Sequence, residues 1–250
     1  MLGIFKNIFS KKESIYFSSF KDIAVDIHSH LIPNIDDGSK SKEESLEIIE
    51  HFTNLGFQKI ITTPHTMKGG YDNTKEIIET GTLELNKYLN QNNVFDISSS
   101  SEYFGDEHFM KLIKSKELLP IFNKYILFEQ SFVQKSALFD TIVFELQLEG
   151  YKPILAHPER YNYLMDKDLK TYKEIKSKGV LFQLNLFSLL EIYGEGAKKV
   201  AEKLIDAQLI DFVGTDIHNR AQLPFMEQLF KSEYLFKLIQ QGKLLNKTLL

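Results

Sequence analysis

A chain of 250 residues, 43% of them hydrophobic, can enclose one large core, and α/β barrels of this length are usually a single domain. A formal net charge of −4 excludes the basic footprint of a nucleic-acid binder, and the absence of cysteine excludes disulfides, zinc–thiolate sites and every thiolate-nucleophile mechanism. No apolar run approaches the roughly 20 residues of a membrane span, and MLGIFKNIFSKKES has neither the uninterrupted apolar stretch nor the small-residue cleavage site of a signal peptide, so a cytoplasmic location is expected.

Residues 1–20 read as an N-terminal extension to a domain spanning 21–250. Leu2, Ile4, Phe5, Ile8 and Phe9, interleaved with Lys6, Lys11 and Lys12, fit an extension packed on the outside of the domain, or a short amphipathic helix that touches a membrane surface or a partner. A strand at 23–27 then runs into His28 and His30. Two histidines at i and i+2 in extended chain point to one side and can grip one cation. NIDDGS follows as a turn in which Asp36 and Asp37 read either as a solvated pair or, for Asp37, as a group reaching back to a metal. Ser41 with Glu44 predicts a capping box for the helix SLEIIEHFTNL, on which His51 reads as structural or solvated.

The second strand, 59–63, ends in TTPH. Pro64 fixes the chain just before His65, and the glycines of MKGGYDN loosen it just after, which suits a rigid ligand beside a movable flap carrying Tyr71. Asn73 with Glu76 predicts the start of the helix EIIETGTLELNKYL, and a strand over 94–100 leads to Glu102. His108 falls in a polar stretch with no assigned role. Strand 125–129, YILFE, places Glu129 after four apolar or aromatic residues; a buried acid there is costly unless it is paired or coordinates a cation. After a helix at 136–149, strand 153–157 ends at His157, and Arg160 follows with a planar fork suited to phosphate oxygens. A helix at 168–178, a strand at 180–185 and a helix at 197–207 come next, with Gly194 and Gly196 reading as a plain turn. Strand 211–215 runs into Asp216 and His218, which repeat the i, i+2 geometry, then Asn219 and Arg220, candidates for substrate contact, and a helix over 225–241.

Seven strand-plus-helix units in succession imply right-handed crossovers and a mainly parallel sheet. Ligand-type residues after strands from both ends and the middle of the chain favour closure into a barrel, whose C-terminal mouth is where such residues converge. The expected chemistry is that of a multinuclear metal hydrolase.

DIHSHLIPNIDDG, TTPH, SSEY, LFE, AHPERY and TDIHN, in this order and spacing, resemble the polymerase and histidinol phosphatase (PHP) family, and within it the bacterial tyrosine-phosphatase branch associated with capsular and exopolysaccharide synthesis. The resemblance spans about residues 22–225. It implies a distorted (β/α)7 barrel holding three divalent metal ions, commonly manganese, with iron or zinc as alternatives. It also implies nine metal ligands: His28, His30, Asp37, His65, Glu102, Glu129, His157, Asp216 and His218. Arg160 falls where the family places an active-site arginine. A second arginine of some members is out of register here: Leu223 stands near its place and Arg220 is nearer the TDIHN segment.

From metal chemistry the expected mechanism is attack on phosphorus by a metal-bound hydroxide, with Arg160 offsetting phosphoryl charge and no phosphoenzyme. The resemblance makes the expected substrate a phosphotyrosine protein, namely the tyrosine-rich tail of a bacterial tyrosine kinase controlling polysaccharide export. The alternatives are a histidinol-phosphate or other small-molecule phosphatase, a TatD-like nuclease, an amidohydrolase, and a barrel that has lost catalysis and serves as a scaffold.

Overall fold

A computed structural model describes residues 15–166 and 168–250. Nine strand segments run in parallel: β1 (Val25–Asp26), β2 (Lys59–Thr62), β3 (His65–Thr66), β4 (Ser98–Ser99), β5 (Glu102–Phe104), β6 (Tyr125–Glu129), β7 (Lys152–Ala156), β8 (Leu181–Asn185) and β9 (Phe212–Gly214). The helices packed around them are α1 (Lys42–Asn54), α2 (Lys75–Gln91), α3 (Glu107–Ser115), α4 (Phe139–Leu148), α5 (Lys170–Ser177), α6 (Glu195–Asp206), α7 (Leu223–Gln228) and α8 (Glu233–Gln240). None of the described helices is long and apolar enough to cross a membrane.

The nine segments occupy seven strand positions, because β2 with β3 and β4 with β5 are bent single strands. Pro64 has no N–H to give the ladder, so the first breaks at Thr63–Pro64, yet Ser100 N donates to Thr62 O and Glu102 N to Pro64 O, keeping the two bent strands side by side. The seam between the first and last strands closes the expected (β/α)7 barrel and accounts for its distortion. At the mouth the backbone closes it: Ser29 bridges Ile217 in parallel, Asp216 N donates to His28 O at 2.7 Å and His30 N to Ile217 O at 2.9 Å. Lower down, side chains replace the ladder. Asn246 donates to Val25 O and Val213 O and accepts from Val213 N, while the Asp26 carboxylate accepts from Thr215 N at 2.9 Å.

The alternation of strand side chains divides the core in two. Tyr125 and Leu127 of β6 and Ile154 and Ala156 of β7 fill the barrel with Val25, Ile27, Ile61 and Phe212. Ile126, Phe128 and Leu155 face the helices instead, in the larger cluster. The same parity carries Glu129 inward at the end of β6, above the apolar plug.

Several local expectations are corrected. The helix expected from Asn73 is capped by Thr74, whose hydroxyl accepts from Ile77 N, because Asn73 is already committed to Ile35 O and His65 O. The strand expected over 94–100 forms only at Ser98–Ser99, since Asn86 of α2 takes both backbone groups of Ile97. Helix α3 went unanticipated: at nine residues its periodic signal is short, but Asp106 accepts from Phe109 N, and Phe109 and Ile113 bury its inner face. The single helix expected over 225–241 is split, because the Ser232 hydroxyl caps a fresh start by accepting from Leu235 N. Of the expected N-terminal extension, residues 1–14 lie outside the described residues. Beyond them Tyr16 N donates to Phe230 O, and Phe20 is fully buried, stacked 4.9 Å from Phe57.

Candidate metal centre

The nine side chains named from the sequence meet at the barrel mouth. Thr62 fixes the segment after β1: its hydroxyl donates to Ser29 O and accepts from Leu31 N, which holds the histidines on either side of Ser29 facing the centre. His157 and Asp216 both have left-handed backbone, φ 33° and 53°, a conformation that costs energy in residues with a Cβ and gathers at functional sites. For His157 the turn has a clear use, since strict alternation with Leu155 would send its ring toward the helices.

Glu102 is the hub. Its Oε2 lies 3.1 Å from His28 Nε2, 3.6 Å from His30 Nε2 and 3.1 Å from His65 Nδ1, and its Oε1 lies 3.0 Å from His157 Nε2. Asp216 Oδ1 is 3.3 Å from Nε2 of both His28 and His30, Glu129 Oε1 is 3.2 Å from His65 Nδ1, and Asp37 Oδ1 lies 3.6 Å from His65 Nε2 and 3.5 Å from His218 Nε2. Among the described residues three groups have donor atoms all within 4.8 Å of one another: His30, Asp37, His65 and His218; His28, His30, Glu102 and Asp216; and His65, Glu102 and Glu129. His157 falls outside these groups and reaches the centre through Glu102.

These residues fit divalent cations. His28 Nε2, His30 Nε2, His65 Nδ1 and Glu102 Oε2 are buried without a hydrogen bond although they sit close to one another, while His157 is hydrogen-bonded to Glu102 Oε1 through Nε2. Buried polar atoms are costly when left unpaired, and close contact without hydrogen-bond alignment is the arrangement of donors that share an ion. Imidazoles and carboxylates without thiolate suit manganese, iron or zinc.

Neighbouring groups set the tautomers. Gln183 Oε1 sits 2.8 Å from His28 Nδ1 and Asp36 Oδ2 sits 2.7 Å from His30 Nδ1, so protons on the Nδ1 atoms leave Nε2 lone pairs facing the centre. Asp36, not only its neighbour Asp37, thus belongs to the site: it also accepts from His65 N at 3.0 Å and Gly38 N at 2.9 Å. Burial alone would raise its carboxyl, but these contacts hold it at about 2. Gln183 and Asn185 were missed by the sequence reading; the signal was two polar residues on the inward parity of the buried strand LFQLN.

Without cations the cluster balances its own charge with protons. Burial opposes charge on His28 and His65, yet Glu102, with Asp216 for His28 and Glu129 for His65, pushes both up to about 10. Burial would raise Glu102 and Asp216, but the facing histidines hold both well below the usual carboxylate range. Glu129 is raised by burial and by Glu102 beside it.

Arg160 reaches the centre, donating from Nη1 to Asp216 Oδ2 at 2.8 Å. Asn219 and Arg220 do not. The Asn219 side chain caps a 3-10 turn by accepting from Ala221 N, and Arg220 turns to Glu47 of α1, Nη1 to Oε2 at 3.3 Å. Tyr71 stacks on His65 with ring centroids 5.4 Å apart. His51 pairs with Glu227 at 3.0 Å, away from the cluster, and Gly194 turns the chain before α6.

Gly214 tests how tightly the centre is packed. A Cβ there would lie 2.5 Å from His28 Cβ and 2.9 Å from Gln183 Nε2, so Gly214→Ala must push His28 off its tether. The expected outcome is a loss of about 1–3 kcal/mol of stability and a metal affinity roughly 10- to 100-fold weaker, read by thermal melts and metal titration. Unchanged affinity would show that the His28–Gln183 contact does not set the site.

Residues 24–237 match the family model described as capsular polysaccharide synthesis, CpsB/CapC. The tyrosine-protein phosphatase YwqE of Bacillus subtilis is 30% identical over 231 residues, covering 88% of this chain and 91% of that one. Among solved structures, one from work on YwqE of Bacillus subtilis and CpsB of Streptococcus pneumoniae, described as unique metal-dependent tyrosine phosphatases, superposes with a TM-score of 0.75 at 29% identity over 89% of this chain and 94% of that one. A phosphotriesterase homology protein from Escherichia coli matches with a TM-score of 0.53 at 12% identity, covering 88% and 92% of the two chains, a likeness of fold alone.

Proposed function

We propose, from the premise that this chain belongs to the CpsB/CapC capsular polysaccharide synthesis family, that it is a metal-dependent protein-tyrosine phosphatase. Its proposed substrate is phosphotyrosine on the tail of a bacterial tyrosine kinase in polysaccharide export, met in the cytoplasm. The observation that carries this reading is the set of unpaired buried imidazole and carboxylate atoms around Glu102, with the Arg160 guanidinium beside them.

The nine converging residues would hold three ions, with manganese the proposed metal. When bound, such ions lower the pKa of water toward neutrality and offset charge on phosphoryl oxygens. The chain's own groups prepare for that. Gln183 and Asp36 keep two imidazoles in the tautomer that faces inward. Asn185 donates to Asp216 at 2.8 Å and holds the arginine's partner in place, so the guanidinium meets phosphoryl oxygens already oriented. Burial of the carboxylates and imidazoles keeps bulk water from screening these charges. The phenolate of tyrosine, with a pKa near 10, leaves without a strong general acid, which suits a site whose carboxylates are committed to histidines.

The test is a comparison, with Mn²⁺ present, of phosphotyrosine and phosphoserine peptides, histidinol phosphate and single-stranded DNA. The expected result is a kcat/KM for phosphotyrosine at least about tenfold above the others, a gap of about 1.4 kcal/mol in transition-state binding. Equal rates on phosphoserine, or faster cleavage of histidinol phosphate or DNA, would overturn it.

A further inference from the structure

Phe132 stands on the loop between β6 and α4, three residues past Glu129, and is 37% exposed. Its ring touches the groups of the site: it stacks on His157 with centroids 5.5 Å apart, lies 5.5 Å from Tyr161, and has the Arg160 guanidinium carbon 4.7 Å from its centre. Tyr193 lies against the same guanidinium at 4.0 Å. The arginine that donates to Asp216 is therefore in contact with two aromatic rings. An open cavity of about 370 Å³, lined by Phe132, Arg160, Asn162, Met165, Tyr193 and Ala197, begins at this point.

We propose that Phe132 is a specificity-determining residue: its exposed ring is the wall against which the substrate's aryl group packs while the phosphoryl group lies between the metal centre and Arg160. Tyr193 is a positioning residue that fixes the guanidinium through its ring. The proposal rests on the reading that the site takes aryl phosphates. A loop phenylalanine gains little by standing in water, and this one lies beside the group meant for the phosphoryl oxygens, where a tyrosine ring emerges and a serine side chain offers no ring to pack. Tyr193, the nearer ring at 4.0 Å, restricts the orientation of the planar cation whose Nη1 is held by Asp216.

The experiment measures, by calorimetry, binding of phenylphosphonate and of inorganic phosphate to the Mn²⁺-loaded full chain. Phe132→Ala should weaken phenylphosphonate by about three- to tenfold and leave phosphate within about twofold, and Phe132→Leu, which keeps apolar bulk for folding, should shift the ratio the same way. Phe132→Tyr should restore it. Tyr193→Leu should weaken both ligands alike, and Tyr193→Phe, which keeps the ring and gives up only the 3.3 Å contact from Asn185 Nδ2, should recover most of the binding of both. Equal losses of the two ligands in the Phe132 variants, or no loss, would overturn the aryl-wall role; a loss of phenylphosphonate alone in Tyr193→Leu would overturn the division between the two rings. Binding needs no turnover, so a protein that cleaves no aryl phosphate would sink the phosphatase reading while this ratio still decides the role of Phe132.

Discussion

Glu102→Gln is expected to lower kcat/KM on phosphotyrosine by about 10³-fold, on the order of 4 kcal/mol of transition-state stabilisation, with metal content falling alongside. The substitution keeps volume and removes charge at the one carboxylate among the described residues that stands within 3.6 Å of four histidines. The amide offers one oxygen where the carboxylate offers two, and its NH₂ group brings protons toward imidazole nitrogens meant to face a cation. Glu129 has fewer partners in the cluster, His65 at 3.2 Å and His157 at 4.0 Å, so Glu129→Gln should cost less. Both variants should remain folded, because the plug beneath the site, Tyr125, Leu127, Ile154 and Phe212, does not depend on either acid. Elemental analysis with steady-state kinetics checks this. Glu102→Gln with full metal and activity within about twofold of the parent would remove Glu102 from the centre.

The difference between Glu102 and Glu129 was not readable in the sequence, and the reason is geometric. Strand-end positions are legible because a short apolar run followed by His, Asp or Glu marks the mouth of a barrel, and that pattern marks Glu129 more strongly. Glu102 comes after a serine run and opens a strand, in a position that only the bend at Ser100–Ser101 carries into the middle of the cluster. Asp36 and Asp37 pose the same problem. As neighbours in a turn they have like composition, and only the folded loop shows that Asp36 faces His30 Nδ1 while Asp37 lies between His65 and His218. Arg220 sits beside the TDIHN motif in sequence, but Glu47 and the exposed end of α1 draw it outward, a long-range pairing that local spacing does not encode. The seven-strand order was legible from alternation of strands and helices. The seam was not, because Asn246 near the C-terminus supplies hydrogen bonds to β1 and β9 that no periodicity announces.

Stripping the metal should abolish activity without unfolding the chain, and reloading it should release protons. With no cation between them, Glu102, Asp216 and Glu129 face His28 and His65 directly and, against burial, raise both to about 10, so at neutral pH both carry a proton that a cation must displace. The sign follows: because the folded, metal-free site binds more protons than the loaded one, affinity must fall as pH falls. Each displaced proton makes the apparent affinity about tenfold weaker per pH unit below that value. Calorimetric titration of the chelated protein with Mn²⁺, in two buffers of different ionisation enthalpy, counts the protons directly. The expected count is about two from these histidines, with a loss of kcat/KM exceeding about 10³-fold after chelation and recovery on adding Mn²⁺. Substituting His51, which pairs with Glu227 away from the cluster, should leave the count unchanged, whereas His65→Gln should lower it by about one. Metal uptake independent of pH between about 6 and 8 would mean that the imidazoles of the empty site are already neutral, and that the short histidine–carboxylate contacts do not carry charge.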